Sequence, residues 1–231
     1  KFPEVLGIKA GSIPLFEDDR IKWLIGEVEL SSLRLLELGP LEGGHTFMLE
    51  NAGVDEIIAV EANTKAYLKC LITKEITGLR KSKFLCGDFV DYLQNVNLIF
   101  DGIIACGVLY HMVDPVELIY LMSSLTKNFV FLWTHYYDEK WVKEKSSFER
   151  FSQSSHKSFM GFECTYFRQN YLEGRYNPGF CGGGFQYSNW MKREDIIECL
   201  KHFGFSKLKI NFDEYDHPNG PSFAIIASKA E

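Results

Sequence analysis

Short apolar runs alternate with helical stretches from residue 33 to residue 133, and this alternation constrains the fold more than any other feature of the sequence. The apolar runs predict strands at 33–38, 56–61, 83–86, 98–106 and 128–133. Apolar periodicity and capping residues predict helices at 45–52, 64–77 and 115–125. Strands that alternate with helices form βαβ units, so these segments predict a parallel sheet covered by helices on both faces.

The last forty residues predict an end to the parallel pattern. A helix at 192–203 ends at Gly204, and strands follow at 207–212 and 223–228. The link between these strands, HPNGP at 217–221, is too short for a crossover helix, so the two strands pair antiparallel. The predicted fold is therefore α/β, with a mostly parallel seven-stranded sheet whose last strand is antiparallel.

Composition and charge exclude several classes of protein. The 231 residues are 46% hydrophobic and 24% charged, which is typical of a globular chain with one large core. No apolar run approaches the roughly 18 to 20 residues that cross a bilayer, and the first thirty residues lack the pattern of a signal peptide, so we expect a cytoplasmic protein without a membrane partner. Six cysteines lie far apart without a C-x-x-C pair, which predicts reduced thiols and no metal site. The net charge of −6 argues against a general nucleic-acid binder.

The first predicted strand runs into a carboxylate and then into a glycine-rich turn, LELGPLEGG at 36–44. The next strand ends in a second acid, Glu61, seventeen residues beyond Gly44. Glycines let a ligand approach the main chain closely, and a carboxylate at Glu61 can accept hydrogen bonds from both hydroxyls of a ribose. Dinucleotides and adenosyl compounds are the two ligand classes that such a turn binds.

The turn favours an adenosyl compound over a dinucleotide. A dinucleotide needs G-x-G-x-x-G at a helix N-terminus to hold its pyrophosphate, and this turn reads Gly39-x-x-x-Gly43-Gly44. Glu37 and Glu42 also flank the place where phosphates would lie. An acidic turn suits a cationic sulfonium, so the sequence favours S-adenosylmethionine and disfavours a nicotinamide-dependent oxidoreductase.

With these residues the sequence resembles the class I S-adenosylmethionine-dependent methyltransferases, whose first motif reads E/D-x-G-x-G-x-G. Glu37, Gly39 and Gly43 match its first, second and fourth positions, while Leu41 stands where the third would be glycine. Glu61 matches the acid that binds ribose in that family. The resemblance continues through the third and fourth strands, covers residues 33–136 well and extends to 192–229 in outline.

The resemblance implies a set of residues that contact S-adenosylmethionine and its product S-adenosylhomocysteine. These are Glu37, Gly39, Pro40, Gly43, Glu61, Ala62, Asp88, Phe89, Cys106, Gly107 and Tyr110. Asp88 matches the aspartate that meets the adenine amino group, although it also suits an N-cap for the following helix. Glu37 has a similar alternative, since a carboxylate at a strand end can stabilise its own turn. The ring of Tyr110 can stabilise a cationic donor.

Three residues on the predicted active edge of the sheet are candidates for catalysis or acceptor binding: His111, His135 and Tyr136. A histidine after the fourth strand can remove a proton from an oxygen or nitrogen nucleophile, and His111 is expected to do so with a pKa of about 6 to 7. A structural role for His111 is the alternative. His135 and Tyr136 follow the fifth strand and are expected to contact the acceptor.

The sequence predicts one methyltransferase domain over residues 1–231. Its predicted parts are an N-terminal helical extension at 1–32, the donor-binding core at 33–136, an insertion at 137–191 and a C-terminal helix with two strands at 192–231. The insertion is crowded with Phe, Tyr and Trp, and Asn-Pro-Gly and Gly-Gly-Gly interrupt it. Aromatic residues at this density form a small extra core, and the position of the insertion also predicts a cover over the acceptor site.

The predicted function is methyl transfer from S-adenosylmethionine to an oxygen or nitrogen atom of a small-molecule or glycan-like acceptor. An RNA acceptor is the second choice, because residues 137–193 carry nine Lys or Arg against six Asp or Glu but no dense basic cluster. A protein that binds an adenosyl compound without catalysis has the same motifs and stays open. The sequence leaves the acceptor and the oligomeric state undetermined.

Overall fold

The computed structural model describes residues 2–8, 10, 14–145, 149–151, 153–171, 173 and 184–230. The breaks that the sequence predicts at 177–179 and 182–183 lie outside these residues, as does Cys181. The other five cysteines are free thiols.

Ten strands and seven α-helices make up the described chain. The strands are β1 Arg34–Leu38, β2 Glu56–Glu61, β3 Ser82–Cys86, β4 Phe100–Cys106, β5 Thr126–His135, β6 Gln153–Phe159, β7 Phe162–Asn170, β8 Tyr187–Trp190, β9 Phe205–Glu214 and β10 Ser222–Lys229. The helices are α1 Asp19–Glu27, α2 Gly44–Asn51, α3 Thr64–Thr77, α4 Phe89–Asn95, α5 Pro115–Leu125, α6 Glu139–Glu144 and α7 Arg193–His202. Short 3₁₀ turns at Glu4–Leu6, Leu15–Glu17 and Leu109–His111 complete the secondary structure.

Seven strands form one sheet in the order β3-β2-β1-β4-β5-β10-β9. β1 pairs parallel with both β2 and β4, and β2 pairs parallel with β3. β10 lies between β5 and β9 and runs antiparallel to both. The prediction of a mostly parallel seven-stranded α/β sheet with an antiparallel last strand is confirmed.

The described chain divides into two compact units, residues 1–104 and 105–231, with the boundary inside β4. In the first unit the core consists of aliphatic side chains from β1 and β2, among them Leu35, Leu36 and Ile57. The predicted N-terminal extension contains α1, which Asp18 caps by accepting a hydrogen bond from the Arg20 main-chain N–H at 2.9 Å.

In the second unit the segment 137–191 contains elements of its own. α6 is followed by a three-stranded antiparallel sheet in the order β6-β7-β8. Its aromatic side chains pack together: the ring of Tyr137 stacks on Phe167 with centroids 3.6 Å apart. Tyr166 donates a hydrogen bond to the carboxylate of Asp114 at 2.7 Å, which ties this small sheet to the N-terminus of α5. The aromatic segment is therefore a small core, as the sequence suggests, and its role as a cover stays a prediction.

Among the described residues, no helix has both the length and the apolar character that a membrane span requires.

Candidate functional site

The glycine-rich turn after β1 has three residues in the left-handed conformation. Gly39, Leu41 and Gly43 have φ of 65°, 56° and 77°. Leu41 occupies the position at which the resembled motif has glycine, and it takes a conformation that glycine adopts without strain. A non-glycine residue in this region costs on the order of 1 kcal/mol or more, so the surrounding contacts must hold the turn in place.

Glu61, at the end of β2, supplies one of those contacts. Its Oε2 accepts a hydrogen bond from the Leu41 main-chain N–H at 3.0 Å, and its Oε1 accepts one from Asn63 at 2.8 Å. The side chain is buried, and this burial raises the pKa of Glu61 against the lowering effect of the main-chain donors. A carboxylate has about four acceptor positions, and its main-chain donors here are Leu41, Asn63 and Ala62, so the group can still accept from a ligand hydroxyl.

Glu37, in β1, is more deeply buried, with 2% of its surface exposed. The Thr46 hydroxyl, in the first turns of α2, donates a hydrogen bond to its Oε2. Burial raises the pKa of Glu37, while the charge of His45 and the hydrogen bond from Thr46 oppose the rise. Glu37 therefore links the end of β1 to α2, which is the stabilising role that the sequence left open beside ligand contact. Contact with a ligand stays a prediction for this residue.

The remaining predicted donor residues of the first unit surround the same strand ends. Pro40 is buried, and its carbonyl oxygen accepts a hydrogen bond from the Gly43 N–H at 2.9 Å. Asp88 caps α4 by accepting from the Val90 N–H at 2.8 Å, and its side chain is exposed. Ala62 is exposed and Phe89 is partly exposed. The N-cap interpretation of Asp88 is confirmed, and its exposure leaves the carboxylate accessible to an adenine amino group.

In the second unit, Gly107 follows β4 with φ of 84°, and its N–H donates to the Trp133 carbonyl oxygen at 2.9 Å. Tyr110 lies three residues later in a cluster of rings. Its ring centroid is 4.2 Å from that of His111 and 4.6 Å from that of His135. Cys106, the last residue of β4, is partly exposed. The structure thus brings Tyr110 and both candidate histidines together within this unit.

His135 is buried and has a defined tautomer. Its Nδ1 lies 2.8 Å from the carbonyl oxygen of Gly220, and a carbonyl can only accept, so Nδ1 carries the hydrogen. Neutral His135 therefore has its lone pair on Nε2. The imidazole is stacked on Trp190, with centroids 5.5 Å apart and an interplanar angle of 7°. These contacts fix the orientation of the ring, as a general base requires.

His111 is largely enclosed, and its Nδ1 lies 3.1 Å from the hydroxyl of Tyr171. Burial, together with the neighbouring charge of His135, lowers the pKa of His111 to about 4. The pKa of about 6 to 7 that the sequence suggested for this residue is thus too high, because the sequence gives no measure of desolvation. His111 is neutral at physiological pH.

Tyr136 has different surroundings from the histidines. Its ring packs against Phe223 at a centroid distance of 5.8 Å, and burial raises the pKa of Tyr136 to about 12. Together with Tyr137 and Lys192 it lines an open cavity of about 650 Å³ in the second unit. Tyr136 follows His135 directly, and successive residues of an extended chain point to opposite sides. That alternation separates two residues that the sequence grouped together.

Solved structures resemble this chain, whereas no protein-family model matches the sequence and no curated protein matches it significantly. The N-terminal domain of EvdMO1 with SAH bound is 18% identical, with a TM-score of 0.68 over 96% of this chain and 82% of that chain. Magnesium protoporphyrin IX methyltransferase (ChlM) from Synechocystis PCC 6803 with bound SAH is 16% identical, with a TM-score of 0.61 over 92% and 81%. A SAM-dependent methyltransferase from Methanosarcina mazei is 14% identical, with a TM-score of 0.60 over 89% and 96%. The chain has the class I methyltransferase fold.

Sequence reasoning missed two contacts in this methyltransferase fold. A Cβ added to Gly44 would lie 2.5 Å from the carbonyl oxygen of Leu15, so the N-terminal segment packs directly on the start of α2. His45 Nε2 also lies 2.9 Å from Oδ2 of Asp18, the cap of α1. Burial opposes ionisation of Asp18, yet hydrogen bonds from Arg20 and His45 hold its pKa well below the usual range. The Gly-Gly pair signals a close approach, but not which segment approaches.

Proposed function

We propose that this protein transfers a methyl group from S-adenosylmethionine to an oxygen or nitrogen atom of a small-molecule or glycan-like acceptor. The observation that carries the proposal is the turn after β1, in which Leu41 takes the left-handed conformation of the motif glycine and donates to the buried Glu61. The proposal includes a cytoplasmic location and one functional domain over residues 1–231.

The residues of the first unit fit an adenosyl donor. Glu61 ends β2 with a carboxylate that main-chain donors hold in place, and a carboxylate at this point suits the adjacent hydroxyls of a ribose. Asp88 presents an exposed carboxylate, which suits an exocyclic amino group. The turn has no Lys or Arg between residues 35 and 44, and the nearby Lys69 of α3 is paired with Glu42, so the turn suits a pyrophosphate poorly.

When bound, S-adenosylmethionine supplies a methyl group on a sulfonium, which an oxygen or nitrogen nucleophile displaces in line. The protein has to align that nucleophile, exclude water and accept its proton where the acceptor carries one. His135 can accept the proton on Nε2, because the Gly220 carbonyl oxygen keeps the hydrogen on Nδ1. His111 is a second candidate, since its lowered pKa keeps the imidazole neutral.

Two observations favour a small or glycan-like acceptor over RNA. The N-terminal domain of EvdMO1, which has the same fold, was also crystallised in the presence of SAH and D-fucose. In this chain residues 137–193 carry nine Lys or Arg against six Asp or Glu, without the dense basic cluster that a phosphate backbone requires.

Calorimetry with S-adenosylhomocysteine tests the donor assignment. We expect the wild-type protein to bind it, and Glu61→Gln to lose roughly 1.5 to 3 kcal/mol, the range for hydrogen bonds to a charged group. Glu56→Gln is the matched control, because Glu56 begins the strand that Glu61 ends and pairs with Arg34 and Lys83 instead. Tighter binding of a nicotinamide dinucleotide than of S-adenosylhomocysteine would overturn the assignment.

Transfer of label from methyl-labelled S-adenosylmethionine to a fractionated cell extract tests catalysis. Label in the small-molecule or glycan fraction supports the proposed acceptor class, and label in the RNA fraction contradicts it. Binding of the donor without any transfer would instead support a non-catalytic adenosyl-binding protein.

A further inference from the structure

Helix α3 has a large apolar surface on the side that faces away from the core. Its buried side consists of Ala66, Cys70 and Thr73. On the opposite side, four aliphatic side chains are exposed by 39% to 57% of their surface. We call them the α3 stripe: Leu68, Leu71, Ile72 and Ile76. Their spacing of three and four residues places them on one continuous face of the helix.

The α3 stripe is not explained by folding of the chain. A helix that covers a sheet buries one face and normally presents polar residues on the other. From their exposed fractions, these four side chains leave roughly 350 Å² of apolar surface in water, which is the size of the largest patch on a typical monomer and often marks a binding site. Ile72 also lines an adjoining cavity of about 270 Å³ with Phe2 and Phe16, so the apolar surface continues beyond the helix.

Charged residues at the two ends of the stripe are complementary to each other. Lys65 lies near the N-terminus of α3 and Glu75 near its C-terminus, and both are exposed. Neither forms an ion pair with another described residue, whereas the neighbouring Lys69 pairs with Glu42. A two-fold axis across the helix would place Lys65 of one copy opposite Glu75 of the other, twice in the same interface.

We propose that the α3 stripe docks against the same stripe of a second copy of this chain, with the two helices antiparallel. The four aliphatic side chains of each copy then bury one another, and two Lys65–Glu75 pairs lie at the rim. Two such patches bury roughly 700 Å² before the flanking residues are counted, which is less than a stable interface buries and falls in the range of weak, transient association. The expected product is a weak dimer with a Kd on the order of micromolar.

Analytical ultracentrifugation of the 231-residue chain over about 1 to 200 µM tests the dimer across this affinity range. We expect the wild-type protein to dimerise with rising concentration and Leu68→Lys to raise the dimer Kd by about tenfold or more. Ile99→Lys is the matched control, because Ile99 is 46% exposed but lies outside α3. A chain that stays monomeric over this range, or a dimer that Leu68→Lys leaves intact, overturns the proposal. Retained melting temperatures show that the variants fold.

Charge reversal tests the antiparallel arrangement. Lys65→Glu or Glu75→Lys alone places like charges opposite each other and should weaken the dimer, while the double reversal should restore it. A different protein bound at this stripe predicts a wild-type monomer and no rescue, and both results contradict the proposal. Calorimetry of the monomeric variants with S-adenosylhomocysteine separates the two proposals, because loss of the dimer should leave donor binding unchanged.

Discussion

The main-chain N–H of Leu41 donates to Oε2 of Glu61 across 3.0 Å, so the carboxylate that ends β2 holds the turn that follows β1. This bond explains how a leucine can occupy a position that favours glycine. Leu41 needs a left-handed conformation, with φ of 56°, and the hydrogen bond contributes to fixing it. The same carboxylate is the predicted ribose ligand, so the shape of the turn and donor binding depend on one side chain.

Leu41→Gly should therefore keep the donor affinity and leave the free energy of unfolding within about 1 kcal/mol, because relief of strain offsets the added freedom of the unfolded chain. Leu41→Val should destabilise the protein by roughly 1 to 2 kcal/mol, since a β-branched residue suits this conformation least. Urea denaturation of the wild type and the two variants measures the free energies of unfolding, and calorimetry with S-adenosylhomocysteine measures the donor affinity. A Gly variant less stable than the Val variant would contradict this account of the turn.

Gly44→Ala should destabilise the protein by at least about 2 kcal/mol, because the new Cβ would meet the carbonyl oxygen of Leu15 at 2.5 Å. The N-terminal segment must move away to admit it. Gly26→Ala is the control: Gly26 lies in α1, and nothing is within 4 Å of a Cβ there. That change should be neutral or stabilising by up to about 1 kcal/mol. Equal melting temperatures for the two variants would show that the Leu15 contact is dispensable.

Local signals in the sequence located much of the fold. The helices predicted at 64–77 and 115–125 have the observed bounds, because Asn63 and Asp114 cap their first turns and Gly78 ends the first of them. β6, by contrast, was not predicted. Its sequence, QSSHKSF, is polar, and it becomes a strand only by pairing with β7. Such pairing is a tertiary effect that the propensity of the segment does not contain.

The sequence supplied the candidate site residues but not their environments. It grouped His111, His135 and Tyr136 by their position after strands, while the structure groups the two histidines with Tyr110 and packs Tyr136 on Phe223. Hydrogen bonds such as Thr46 to Glu37 join residues nine positions apart and depend on the path of the turn. Desolvation, which sets the protonation of Glu37 and His111, is a property of the folded chain alone.

Glu37→Gln should stabilise the protein at alkaline pH. Burial raises the pKa of Glu37, so the folded state binds a proton over a pH range in which the unfolded state has released it. The free energy of unfolding therefore falls as pH rises from the unfolded pKa through the folded one. Glutamine removes this pH dependence, and its side-chain oxygen can still accept the hydrogen bond from the Thr46 hydroxyl. Denaturation of the wild type and the variant at several pH values measures the difference in the free energy of unfolding.

Glu56→Gln is the control for this experiment. Hydrogen bonds from Lys83 and Arg34 lower the pKa of Glu56, so its removal should not increase stability at high pH. The same alkaline gain in both variants would show that net charge, rather than burial at Glu37, is responsible.

His111 should make the protein acid-sensitive, with a sign opposite to that of Glu37. The pKa of His111 is about 4 in the folded state, against about 6.5 for a free imidazole, so the unfolded chain binds a proton that the folded chain excludes. The free energy of unfolding is therefore highest above about pH 6.5 and decreases as pH falls toward 4. At pH 4.5 the decrease due to His111 is roughly 2 to 3 kcal/mol. His111→Asn should lose this dependence, whereas His156→Gln, on the exposed strand β6, should keep it.

The pH–rate profile then decides whether His111 also acts as the base. A base with a pKa of about 4 keeps kcat/KM constant down to about pH 5, and His111→Asn should lower kcat by about 10² to 10⁴ with little change in donor affinity. Rates of methyl transfer by the wild type and His111→Asn between pH 4.5 and 9 measure both the profile and the loss of kcat. A wild-type rate that falls below about pH 6 to 7, with the same fall in His111→Asn, removes His111 from the chemistry and leaves Nε2 of His135 as the candidate base.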